Sequence, residues 1–156
     1  ISTRDWSSDV CSSDLADTSK EKKRMGMEIV FPGNKKVNAV YKGFTTETDQ
    51  PKNEGGDGSA PEPYDLFLTA IGTCAGVYVV YFCDERGIDT SKIKMRLEFD
   101  RNEKKHLIET VHIHMDLPPE FPKKYKSAVV RTAELCTVKR NIVDPPKFLV
   151  TADIQE

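Results

Sequence analysis

The chain has 156 residues, with 23 basic and 25 acidic side chains, a formal net charge of −2 at neutral pH and 38% apolar residues. This balance gives no electrostatic footprint for nucleic acid or an anionic membrane surface, and the length fits one domain with its own core. Four cysteines without a CxxC pair, and no basic start leading into an apolar leader, point to reduced thiols in the cytoplasm rather than a disulfide framework.

Residues 1–24 are set apart from the fold as an artefactual or disordered segment. The run from Asp5 to Leu15 has neither helical nor strand period and resembles the translation of a sequencing adapter joined in frame to a gene. Leaving out residues 1–15 removes Arg4, Asp5, Asp9 and Asp14, so 22 basic and 22 acidic residues remain. It also removes Trp6 and Cys11 from functional argument, leaving Cys74, Cys83 and Cys136. The cluster from Lys20 to Arg24 reads as a solvated tail. Residues 25–156 are expected to form a single domain.

From Met27 to about Thr48 the pattern is extended. Met27, Ile29 and Phe31 alternate, Pro32-Gly33-Asn34 is a turn signal, and Val37, Ala39 and Tyr41 alternate again, which predicts two or three antiparallel strands. Gln50 to Pro63 is rich in glycine and proline and reads as a plain loop, because it lacks the Gly-Lys-Ser/Thr ending of a phosphate loop.

The run Leu66–Cys83 is the longest apolar stretch, bounded by Pro63 before it and Gly87 after it. These limits predict a helix from about Tyr64 to about Arg86, with Asp65 facing the unpaired amides of its first turn and Arg86 the unpaired carbonyls of its last. Apolar residues occupy every side, so the helix is expected to be enclosed around most of its circumference. Eighteen such residues reach the lower limit for a membrane span, but Thr69, Thr73, two glycines and the Asp84-Glu85-Arg86 flank favour a buried helix in a soluble protein. Gly72 and Gly76 share one face and allow close approach of a sheet or of a second copy of the helix.

Beyond the helix, Ile93, Met95, Leu97 and Phe99 alternate with charged residues, Arg101 to Lys105 turns, and Leu107 to Leu117 forms a second strand. That register puts His112 and His114 on the outer face. Two histidines two apart on a strand can share a metal ion, but no third ligand stands at a familiar spacing, so they read as exposed strand residues and no metal is expected. After Pro118-Pro119, Pro122 opens a second helix with an apolar stripe through Tyr125, Ala128, Val129, Thr132 and Leu135 or Cys136. It continues or restarts through Val138 and Ile142 and stops before Pro145-Pro146. Phe148, Val150, Ala152 and Ile154 predict a last strand.

Two motifs stand out: Pro63-Tyr64-Asp65-Leu66-Phe67 leading to Gly72-Thr73-Cys74, and Ala133-Glu134-Leu135-Cys136-Thr137-Val138. Together with the order strands, long helix, two strands, helix pair, strand, they resemble the OsmC/Ohr family of thiol-dependent peroxidases and their relatives over roughly Met25 to Ile154. The resemblance implies an α+β fold in which antiparallel sheets wrap a long buried central helix within an intertwined homodimer. It further implies reduction of an organic or hydrogen peroxide by Cys74, resolved by Cys136 and recycled by a dithiol reductant, with no cofactor.

The hydroperoxide-reducing branch of that family carries a Pro-Glu pair before the helix and an N-terminal arginine. Here Tyr64 follows Pro63, the matching acid is Asp65 one residue on, and Arg24 is the only N-terminal arginine outside the first 15 residues. Cys74, in mid-helix, has no end of its own helix to lower its pKa. Cys83, nine residues on and on the opposite face, reads as a small core hydrophobe. Two other functions suit the same fold: a non-catalytic thiol redox sensor, and a binder of small apolar ligands.

Overall fold

The computed structural model describes residues 26–154; the segment 1–24 and its Arg24 lie outside the described residues. Among those described, the order is β1 (Glu28–Gly33), β2 (Lys36–Tyr41), β3 (Phe44–Thr46), α1 (Pro63–Asp84), β4 (Lys94–Asn102), β5 (Leu107–Asp116), α2 (Lys126–Glu134) and α3 (Thr137–Val143). Both sheets are antiparallel, one ordered β1-β2-β3 and the other β4-β5. The architecture is α+β.

The β2–β3 turn needs a left-handed backbone at both central residues, and Lys42 (φ 51°) and Gly43 (φ 80°) supply it while Tyr41 pairs with Phe44. Alternation in β4 is as expected, with Met95, Leu97 and Phe99 partly covered and the charged residues between them exposed; in β5 Val111 and Met115 are partly covered, but Ile113, expected to face inward with them, is exposed. Leu97 packs directly on α1, where a Cβ at Gly72 would come within 3.0 Å of the Leu97 Cδ1. Gly76 faces Met95 in the same way, so the two glycines serve the sheet of their own chain.

On its other side α1 meets α2 and α3. Ala75, Val79, Phe82, Cys83, Phe121, Val129, Ala133 and Cys136 form one buried cluster there. Full burial of a valine- or phenylalanine-sized side chain stabilises by about 1.5–3 kcal/mol. At the end of α1, Arg86 donates to the Phe82 carbonyl at 2.8 Å and lies over the Phe82 ring, 3.9 Å from its centroid. Gly87 (φ 62°) then takes the left-handed turn. Cys83 is wholly buried, and burial, followed by nearby Asp84, pushes its thiol pKa up.

Three expectations are corrected. First, α1 is not enclosed all round within one chain: Phe67, Val77, Val80 and Tyr81 are exposed, because sheet, α2 and α3 cover only part of it. Second, residues 145–154 form no strand. Phe148, Leu149, Val150 and Ile154 are 84–97% exposed, and an alternating segment without an adjacent strand edge has no ladder to join. Third, the segment from Gln50 to Pro63 is more than a plain loop. It contains a 3-10 turn at Lys52–Glu54 and winds around a buried carboxylate, Asp49.

Asp49 accepts hydrogen bonds from the Gln50 amide (2.8 Å), the Asp57 amide (3.2 Å), the Ser59 amide (3.0 Å) and the Ser59 hydroxyl (2.8 Å). The Ser59 amide is the strongest influence and, with the Ser59 hydroxyl and the Gln50 and Asp57 amides, outweighs burial to lower the Asp49 pKa to about 2. Asp57 ties the loop to the β1–β2 hairpin through Asn34 (3.0 Å) and Lys36 (3.1 Å). Gly56 sits so close to the Gln50 carbonyl oxygen that a Cβ would lie 1.9 Å from it.

A carboxylate whose folded pKa is depressed adds stability above its unfolded value of 3.8, and that stability fades as pH falls through about 2. Asp49→Asn is therefore expected to lower the melting temperature by several degrees at pH 7, with the gap to wild type closing toward pH 2 in thermal melts. A gap that does not change with pH would show that the charge of Asp49 contributes nothing.

Candidate functional site

The site forms where α1 meets the break between α2 and α3. α2 ends at Glu134, Cys136 leaves helical geometry (φ −47°, ψ 123°), and α3 starts at Thr137. The second helix therefore restarts rather than continuing. Restarting leaves the amides of the first turn of α3 without intrahelical partners, available to any acceptor in front of them. Cys74 stands beside this break, and the Val138 amide, the Cys136 thiol and the Thr137 amide act to lower its pKa. The two cysteines singled out in the sequence come to one place in the fold, Cys136 inside the buried cluster and Cys74 packed against it.

Their environments push the two thiols in opposite directions. Burial alone would raise the Cys74 pKa, but the Val138 amide, the Cys136 thiol and the Thr137 amide together bring it below its ordinary value. Burial is also the largest influence on Cys136 and raises its pKa; the Lys139 amide opposes this, while its bond to Cys74 and the charge there raise it further. Cys136 is 1% exposed and Cys74 half-buried, so the sulfur with the lower pKa is also the more accessible one. Cys136 Sγ also lies 4.0 Å from the Ile71 carbonyl, one turn before Cys74. An open groove of about 520 Å³ between β5 and α2–α3 has Cys136 in its wall, with Ile71, Val111, Ile113, Met115 and Val130 around it.

Asp65, the third residue of the predicted set, is elsewhere. Its carboxylate accepts from the Glu62 amide at 3.3 Å, and the Glu62 side chain accepts in return, so the pair is a capping box at the start of α1. Nine residues at about 1.5 Å rise put it roughly 13 Å along the helix axis from Cys74. Its position in the sequence had marked it as the family's acid, whereas its local bonds are those of a helix cap.

His112 and His114 are on the outer face of β5, as expected. Each pairs with a carboxylate, His112 Nε2 with Asp100 at 2.8 Å and His114 Nε2 with Asp116 at 3.1 Å. Arg96 also pairs with Asp116. Among the described residues no group of three or more potential metal ligands converges.

The amides of residues 137 and 138 are not among the groups expected from the sequence to act on Cys74, because they belong to another helix more than sixty positions on. The available signal was Thr137, a residue suited to a helix start, directly after the cysteine in the second motif.

Comparison with known proteins matches this arrangement to a family. The model for the OsmC-like protein family covers residues 56–151. The chain belongs to that family. Among solved structures, a candidate osmotic stress induced and detoxification response protein from Psychrobacter arcticus is 19% identical, covers 78% of this chain and 90% of its own, and superposes with a TM-score of 0.66. An OsmC-like protein from Mycoplasma pneumoniae is 14% identical over 80% of this chain and 91% of its own, with a TM-score of 0.61. An organic hydroperoxide resistance protein OsmC from Legionella pneumophila is 18% identical over 79% and 91%, with a TM-score of 0.50. No curated protein sequence matches the chain. At these identities the likeness is one of fold.

Differential alkylation between pH 6 and 9, mapped by peptide mass, is expected to label Cys74 first and with the lower apparent pKa. Cys136 should follow at higher pH, and Cys83 should react only on unfolding. Faster labelling of Cys136 than of Cys74 would reverse the assigned order.

Proposed function

We propose that this OsmC-like protein is a thiol-dependent peroxidase. The observation that carries the reading is the convergence of two cysteines on one buried cluster, the half-buried Cys74 with its pKa lowered and the buried Cys136 with its pKa raised. A thiolate is the nucleophile needed for an O–O bond, and a second thiol beside it is what a sulfenic acid needs to become a disulfide. The apolar groove beside Cys136 suits the organic part of a small hydroperoxide. The name of the Legionella relative points to the same substrate class.

In the first step Cys74 S⁻ attacks the terminal oxygen of ROOH. The S–O bond forms as the O–O bond breaks, the sulfur is oxidised to the sulfenic state, and RO⁻ leaves as the alcohol after taking a proton. The Thr137 and Val138 amides stabilise the thiolate before attack. In the second step Cys136 attacks the Cys74 sulfur, the S–O bond breaks, and the departing hydroxide and the Cys136 proton leave as water. A dithiol then reduces the Cys74–Cys136 disulfide by two exchange steps, becoming a disulfide itself. Asp65 acts in this scheme only through the start of α1, and no cofactor or metal enters.

Limiting organic hydroperoxide is expected to produce a Cys74–Cys136 disulfide in the wild type. Cys136→Ser should instead leave a sulfenic acid on Cys74 that dimedone traps, and Cys74→Ser should abolish turnover with a dithiol. Cys83→Ser should lower stability more than rate. An enzyme that consumes no peroxide while its thiols remain accessible would leave the redox-sensor reading in its place.

The assembly proposed with this activity is a homodimer in the cytoplasm. Phe67, Val77, Val80 and Tyr81 on α1, and Ile29, Phe31 and Phe44 on the three-stranded sheet, expose large apolar side chains that a second copy would cover. Neither a membrane nor a nucleic acid is proposed as a partner. Sedimentation at micromolar concentration is expected to give about twice the chain mass, whereas a stable monomer there would overturn the dimer.

A further inference from the structure

The cradle around Cys74 is built from two segments far apart in the chain, and one side chain outside the thiol pair joins them. Tyr78 stands one turn after Cys74 on the same face of α1, and its phenolic oxygen lies 3.0 Å from Thr137 Oγ1, across 59 positions of sequence. Helical side chains lean toward the N-terminus of their helix, so a residue four positions on reaches back over the turn that carries Cys74. Thr137 is one of the two residues whose amides lower the Cys74 pKa, and its neighbour Val138 packs with Cys74 on the same buried cluster. The hydroxyl pair therefore fastens to α1 the same residue that must stay close to the thiolate.

We infer that Tyr78 is a positioning residue: through Thr137 Oγ1 it holds the turn 136–138 against α1, so that the Thr137 and Val138 amides stay within reach of Cys74 Sγ. A hydrogen bond to sulfur weakens steeply with distance and misalignment. Cys136 has left helical geometry at this point, so the turn is not held by an unbroken helical ladder. Val138 packs on the buried cluster and limits movement toward the core, while the Tyr78 hydroxyl limits movement of Thr137 at the exposed edge. The role depends on the peroxidase reading only for its purpose, since tuning of the thiol can be measured without peroxide.

The test is the pH dependence of Cys74 alkylation by iodoacetamide in the full chain, with the site read by peptide mass and folding checked by circular dichroism. Tyr78→Phe keeps the ring and removes the hydroxyl. It is expected to raise the apparent pKa of Cys74 by on the order of half a unit and to slow alkylation at pH 7 about threefold. Thr137→Val should produce the same shift, and the double variant no more than either single one. Tyr81→Phe, on the exposed side of α1, should leave the profile in place. A folded Tyr78→Phe protein with the wild-type profile, additive shifts in the double variant, or an equal shift in Tyr81→Phe would each overturn the inference. If Tyr78→Phe does not fold, Thr137→Val decides by the same shift or its absence. A shifted profile in a protein that turns over no peroxide would remove the peroxidase reading and leave Tyr78 in its role. Turnover with an unshifted profile would do the reverse.

Discussion

The packing of α1 against the broken helix α2–α3 is the contact on which the rest of the site depends. It buries Ala75, Val79 and Phe82 against Val129 and Ala133, and it gathers Cys74, Cys136 and Val138 at the same cluster. Core formation and site formation are thus one event. A change that loosened the hydrophobic contact would also withdraw the groups that favour the thiolate. Gly72 belongs to the same design from the opposite side, since its missing side chain lets Leu97 seat β4 closely on the helix and fixes where α1 lies.

Among the described residues, the groups that favour the Cys74 thiolate are dipoles rather than a cation. The groups that lower the Cys74 pKa, among the described residues, are two backbone amides and a neighbouring thiol. Amides at a helix start are fixed by the backbone and need no reorganisation when charge develops in front of them. The two thiols are shifted in opposite directions, the more accessible one down and the buried one up. Asp65 acts at a distance by closing the first turn of α1, and Asp49 shapes the loop that leads into it.

The surface left by a single chain follows from the same arrangement. α1 is covered along the side that faces β4, α2 and α3, and its remaining stripe stays open, as do the apolar residues of β1 and β3. Residues 145–154 extend away with no strand beside them. These surfaces carry large apolar side chains.

By itself the sequence determined the order of elements, because each depends on nearby residues. Alternation set β4 and β5 and put His112 and His114 outside, Pro63 and Gly87 bracketed α1, and Pro32-Gly33-Asn34 marked the turn from β1 to β2. The motifs around Cys74 and Cys136 also named the two thiols. Tertiary structure alone decided what surrounds them. Whether Cys136 interrupts a helix, whether the Thr137 amide faces a sulfur 63 positions earlier, and whether Tyr78 reaches Thr137 all depend on how two helices pack, and no local period encodes that distance. The same reason explains the failures. An alternating pattern at 148–154 needs a neighbouring edge to become a strand, an apolar helix needs partners on every side to be enclosed, and a carboxylate in the first turn of a helix caps that helix unless the fold brings the reacting atoms to it.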